Sequence, residues 1–286
     1  MRVAQEGAGA RIVNNLNAFY SSKYHSKLSV FPLVLALICL ASSCGGENPP
    51  EITPATLGGD RILFERGEAA LAEEDWGDAR GFFVQVRDNY PQSEYRAEAR
   101  LQIGDTYEGE GTPDSYIRAL AEYQDFLSLY PTHPRTGYAQ YKLGMVHFHQ
   151  MRRAERDQTE TLSAIAEFEA FIARFPADHE LMPQVREQLR GARDRLGMHD
   201  YQVGIYYYQR ENYAGAMARF RELIEQDPGF SRLDGVYFYL ATTLADTTQV
   251  SEAIPYFARL LDEFSESEFA EPAAARLTEL EAGSQP

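Results

Sequence analysis

Few residues in this chain are placed to do covalent chemistry. Of its two cysteines, Cys39 sits inside an apolar run, while Cys44 directly follows the small residues Ala41, Ser42 and Ser43 and is the one thiol placed for modification. The histidines chelate poorly: His147 and His149 are two apart on a helical stretch and point in different directions, and His133, His179 and His199 are scattered, so no metal site is expected. There is no P-loop, no Gly-x-Gly-x-x-Gly, no nucleophile elbow and no His-Glu-x-x-His, which leaves neither catalysis nor a cofactor to expect. Recognition is better served. Arg186, Arg190 and Arg193 share one side of a helical stretch with Arg195 nearby, in a chain of formal charge -16. A basic stripe in so acidic a body suits an acidic partner; the plain alternative is a solvated face with Glu187 and Asp194 as intrahelical partners. Tyr206, Tyr207 and Tyr208 could stack on a ligand, yet Tyr207 falls three residues after Gly204, at a packing position.

The elements that carry these residues repeat. Ala, then an aromatic at +4, an apolar residue at +7 and Pro at +12 recur as Ala79/Phe83/Val86/Pro91, Ala119/Tyr123/Phe126/Pro131, Ala164/Phe168/Phe171/Pro176 and Ala216/Phe220/Leu223/Pro228. A fifth copy, Ala253/Phe257/Leu260, lacks the Pro. These offsets share one helix face, and Pro cannot continue the helix. Upstream of each copy stands a small residue, Gly67, Gly104, Gly144, Gly204 or Ala241, where a second helix could approach closely. The spacing resembles the tetratricopeptide repeat and predicts an all-α, tetratricopeptide-like solenoid of five helix pairs over residues 58–282, with a C-terminal capping helix at 270–281 and a short tail. The predicted helices are 60–74, 76–90, 94–109, 113–129, 135–152, 158–174, 180–210, 213–226, 233–246 and 250–263. Between Met151 and Thr161 lies a charged loop, and the fourth pair carries 15 additional residues, read as one long helix with Leu181, Val185, Leu189 and Leu196 as its apolar stripe.

The first 43 residues differ from the rest. Lys23, His25 and Lys27 precede an uncharged apolar run from Leu28 to Leu40, too short to span a bilayer comfortably and followed by small residues, which is the pattern of a signal peptide. Leu40-Ala41-Ser42-Ser43-Cys44 resembles the bacterial lipobox, with Ala41 where the lipobox has Leu. That resemblance implies a diacylglyceryl, palmitate-type anchor on Cys44, with residues 44–57 as a flexible tether. Gly45 follows the Cys, rather than the Asp that commonly retains lipoproteins at the inner membrane, so outer-membrane anchoring facing the periplasm is expected. Residues 1–43 hold four basic residues and one acid, so the mature chain would carry -19, a poor match for nucleic acid.

Two further stretches resemble the BamD family, the lipoproteins of the outer-membrane barrel-insertion machinery. One is Tyr130-Pro131-Thr132-His133-Pro134 with Tyr138, Tyr141 and Gly144 after it. The other runs from Asp194-Arg195-Leu196 through His199-Asp200-Tyr201-Gln202-Val203 to Tyr206-Tyr207, Ala216 and Arg219, with Asp200 where the family has Glu. Arg156-Asp157-Gln158 is similar to the family's Arg-Asp dipeptide ahead of a second helix. The resemblance implies a non-enzymatic scaffold that binds the periplasmic domain of the barrel insertase through its C-terminal repeats, beside accessory lipoproteins. The N-terminal repeats would receive segments of unfolded outer-membrane proteins. A competing reading is a periplasmic tetratricopeptide protein coordinating envelope or cell-division complexes, but no heptads are present for the coiled coil such proteins carry. Another, an enzyme accessory or solute-binding lipoprotein, would need polar clusters at a pocket, and the sequence displays none.

Overall fold

The computed structural model describes residues 58–283. The expected signal peptide and tether, with Cys44, and residues 284–286 lie outside the described residues. Ten of the eleven helices described form five pairs: α1 (Gly59–Ala72) with α2 (Trp76–Asn89), α3 (Arg96–Glu110) with α4 (Pro113–Leu129), α5 (Thr136–Gln150) with α6 (Thr159–Arg174), α7 (Met182–Gln209) with α8 (Tyr213–Gln226), and α9 (Leu233–Asp246) with α10 (Val250–Glu263). Helix α11 (Ala270–Gly283) closes the array against α10. Each helix packs chiefly on its neighbours in sequence, as a solenoid of stacked pairs requires.

The recurring small residue and aromatic meet inside each pair. A Cβ on Gly67 would lie 2.6 Å from the Phe83 ring and one on Gly104 2.6 Å from Tyr123; Gly144 and Gly204 are covered as tightly by Phe168 and Phe220. Each ring lies flat on a glycine backbone, and each of those aromatics is fully buried. Only the absence of a side chain permits the approach. Within a pair, the chain turns through a left-handed residue two places before the second helix, at Glu74 (φ 58°), Gly111 (φ 67°), Glu211 (φ 59°) and Thr248 (φ 62°). Three of these are not glycine and bear a strain of about 1 kcal/mol or more.

Between pairs, Pro91, Pro131, Pro176 and Pro228 stand two residues after the last residue of α2, α4, α6 and α8. Three residues before the next helix, Ser93, His133, His179 or Ser267 accepts a hydrogen bond from the backbone N–H two residues on, at 3.1, 3.2, 3.1 and 3.1 Å. The two histidines therefore cap turns through Nδ1 and set their rings edge-on against Phe126 and Phe171, with centroids 5.3 and 5.1 Å apart.

Helix α7 departs from the repeat. Its 28 residues span about 42 Å, and it enters two cores. Met182, Val185, Leu189 and Ala192 pack with Phe168 and Phe171, while Tyr201 packs with Phe220, Phe230 and Leu233. Leu181 and Leu196, expected in its apolar stripe, are only partly buried; Ala192 and Gly197 take the covered positions.

Candidate functional site

The four arginines of α7 divide between its two sides. Arg190 forks onto Asp227 at the end of α8 and also reaches Asp194 at 3.2 Å, and Asp194 in turn accepts from the Ser231 N–H at 2.9 Å. The Asp227 contact holds the Arg190 guanidinium charged to above its usual range. This arginine fastens α7 to the turn after α8. Arg193 makes a 2.7 Å pair with Glu169 of α6 in which both side chains are nearly half exposed, an arrangement that contributes little to stability. Arg186 is exposed and pairs with no carboxylate among the described residues.

Arg195 lies on the other side, where the loop 151–158 is pinned to α7. It donates to the Arg152 carbonyl at 3.2 Å, His199 Nδ1 donates to the Ala154 carbonyl at 2.6 Å, and Gln202 donates to Glu155 at 3.0 Å. From beneath, the buried Gln158 amide donates to the carbonyls of Arg153 and Arg156 at 3.0 and 2.9 Å, and its own oxygen accepts from Thr161 at 2.8 Å. Four loop carbonyls, those of Arg152, Arg153, Ala154 and Arg156, are thus occupied, while the Arg152, Arg153 and Arg156 side chains remain exposed beside Arg195. That basic patch was not legible as such, since the loop and the second half of α7 are some 40 residues apart.

A second site lies at the other end of the array, and there the sequence expectation needs correction: a polar cluster at a pocket does exist. A groove of about 690 Å³ runs across the ends of α1, α3 and α5, walled by Trp76, Tyr116 and Tyr138. At its floor Glu108 is 7% exposed and Asp105 12%. The Tyr123 hydroxyl lies 2.7 Å from Asp105 and 2.9 Å from Glu108 with one proton to share between them, the Tyr138 hydroxyl donates to Asp105 at 2.9 Å, and the Lys142 ammonium contacts Glu108 at 2.5 Å. His149 Nδ1 lies 3.9 Å from Glu108. Burial, reinforced by the Asp105 charge, pushes both phenols well above their ordinary value. Burial alone would lower Lys142, but Asp105 and Glu108 outweigh it and hold the ammonium above its usual value.

The signal for this cluster was present in the repeat register. Four residues after the small residue stand Leu71, Phe148, Tyr208 and Ala245 in the other copies, whereas the second copy has Glu108. The same copy replaces the recurrent Phe by Tyr123, whose hydroxyl is what a buried carboxylate needs. Of the remaining histidines, His147 pairs with Glu160 at 2.7 Å. Among the described residues no group of three His, Cys, Asp or Glu could hold a metal, and no helix is long and apolar enough to cross a membrane.

Comparison with known proteins places this arrangement. The chain is 26% identical over 212 residues to the outer membrane protein assembly factor BamD of Caulobacter vibrioides, covering 73% of this chain and 68% of that protein. It is 23% identical over 202 residues to the factor of the same name from Vibrio cholerae, covering 67% and 81%. Among solved structures it resembles the MamA protein at 20% identity, over 74% of this chain and 94% of that one, with a TM-score of 0.31 that carries no weight here. The family described as YfiO, outer membrane lipoprotein, matches residues 59–234, from the first residue of α1 into α9. With well over half of its length matched, the chain belongs to the YfiO, or BamD, family of outer membrane lipoproteins.

Proposed function

We propose that the protein is a non-catalytic scaffold of outer-membrane β-barrel assembly, anchored by lipid on Cys44 to the inner leaflet of the outer membrane. The barrel insertase docks on the face built from α7 and the loop 151–158, and unfolded outer-membrane protein segments enter the groove between α1, α3 and α5. The observation that carries this reading is the division of labour along one array of known family: a basic patch on a rigidly pinned loop at one end, and an open groove with polar and aromatic walls at the other. The assembly-factor role is supported by relatives named for that role over two thirds or more of this chain. Stacked helix pairs also present the extended surfaces that suit peptide recognition.

Depletion in the native organism tests this directly. The proposal expects outer-membrane barrels to be lost from the membrane and their unfolded forms to accumulate in the periplasm, while lipoprotein export continues. Normal barrel levels together with a defect confined to division or cell shape would favour the envelope-coordination reading instead.

A further inference from the structure

The groove's chemistry defines what it takes. Resting on the reading that this groove holds unfolded segments, we infer that it selects a basic side chain, Arg or Lys, from an internal stretch of an extended chain, and that it disfavours a chain end bearing a carboxylate. Glu74, Asp105 and Glu108 line the groove against one ammonium, that of Lys142. Nearby cations are already paired, Arg80 with Glu110 at 3.0 Å and Arg135 with Glu98 at 3.4 Å, the latter also lying 4.2 Å over the Tyr138 ring. On the same wall the Gln102 Oε1 is shut from solvent and accepts from no donor. The wall therefore keeps an unfilled acceptor beside its carboxylates. Trp76 supplies a flat aromatic surface, held in place because its ring rests on Gly109, where a Cβ would lie 2.8 Å from it. Aromatic faces beside buried carboxylates are the setting in which a guanidinium or ammonium is bound best. The second copy places Glu108 where the other copies have Leu71, Phe148, Tyr208 and Ala245, which sets a buried acidic group beside the groove in this copy alone.

Trp76 is the chain's single tryptophan, so its emission reports on the groove alone. The test titrates the full lipidated chain in detergent with short extended peptides that differ only in a central Arg, Lys, Gln or Glu, and with one ending in Phe and a free carboxylate. An unfolded barrel protein is titrated in parallel. The Arg peptide should shift Trp76 emission and bind about tenfold or more tighter than the Gln and Glu peptides, and added salt should weaken it. Glu108→Gln should abolish the preference, and Lys142→Met, which removes the internal competitor, should strengthen it. Should either buried variant fail to fold by circular dichroism, Glu74→Gln at the exposed rim serves in its place and should reduce Arg-peptide affinity about threefold. Equal binding of Arg and Gln peptides, or preference for the carboxylate-ended peptide, overturns the inference while unfolded-barrel binding leaves the groove's role standing. If neither the peptides nor the unfolded barrel move Trp76, both fall.

Discussion

Tyr123 illustrates how much rests on one oxygen atom. Its ring does what Phe83, Phe168, Phe220 and Phe257 do, covering a small residue, while its hydroxyl brings the one proton shared by two carboxylates that would otherwise be buried with one fewer donor. Tyr123→Phe should therefore destabilise the protein by about 1 to 3 kcal/mol, although Phe is the residue of every other copy. Adding Glu108→Leu to that variant should recover much of the loss, and a urea-denaturation cycle measures the coupling; additive effects would show that the hydroxyl and the carboxylate do not depend on each other. The cluster also has a pH signature. Tyr123 and Tyr138 keep their protons in the fold at pH values where the unfolded chain, with phenols near 10.0, has released them, and Lys142 acts in the same direction above 10.5. This contribution is fully present below about pH 10 and lost as pH rises further, so the urea midpoint should be level to about pH 9.5 and then fall. A midpoint that holds to pH 11, or falls equally in Tyr123→Phe, would contradict it. The carboxylates themselves escaped the reading of the sequence because charged residues on a helix are ordinarily solvated; only their register beside Gly104 marked them out.

At the scale of the element, α7 joins two hydrophobic clusters that would otherwise be separate. Gly191 lies between them on an exposed side, with only Phe148 within reach of an added Cβ, at 3.5 Å. Gly191→Pro should remove one helical hydrogen bond, cost about 3 kcal/mol or more, and convert a single cooperative unfolding transition into two. Coincident transitions by fluorescence and circular dichroism in the variant would mean that the two clusters are coupled through other contacts. The long helix itself was legible, because the distance from Pro176 to Gly204 exceeds the other copies by 15 residues. What could not be read was the use of its arginines. Arg190 could be read with Asp194 four residues on, but not with Asp227, and nothing local marked the loop carbonyl that Arg195 holds. Partners that lie 37 and 43 residues away belong to tertiary structure, and no local pattern encodes them.

As a whole, the molecule is a periodic array with two interruptions, and each interruption is where a function is proposed. The array was legible almost to the residue, since glycine, aromatic and proline each do one steric task that nothing else does as well. The anchor proposed at Cys44 belongs to this scale as well: if it is the attachment, Cys44→Ala should release a folded protein into the periplasmic fraction. Retention of that variant in membranes stripped of partner proteins would mean that another attachment exists. The central claim is that the basic face of α7 and its loop docks the barrel insertase. Isolation of the protein from gently solubilised outer membranes should recover a β-barrel insertase in near-equal amount, and reversal of Arg153, Arg156, Arg186 and Arg195 to Glu should abolish that recovery while circular dichroism stays unchanged. A charge-reversed protein that still brings down the insertase in full would contradict the account.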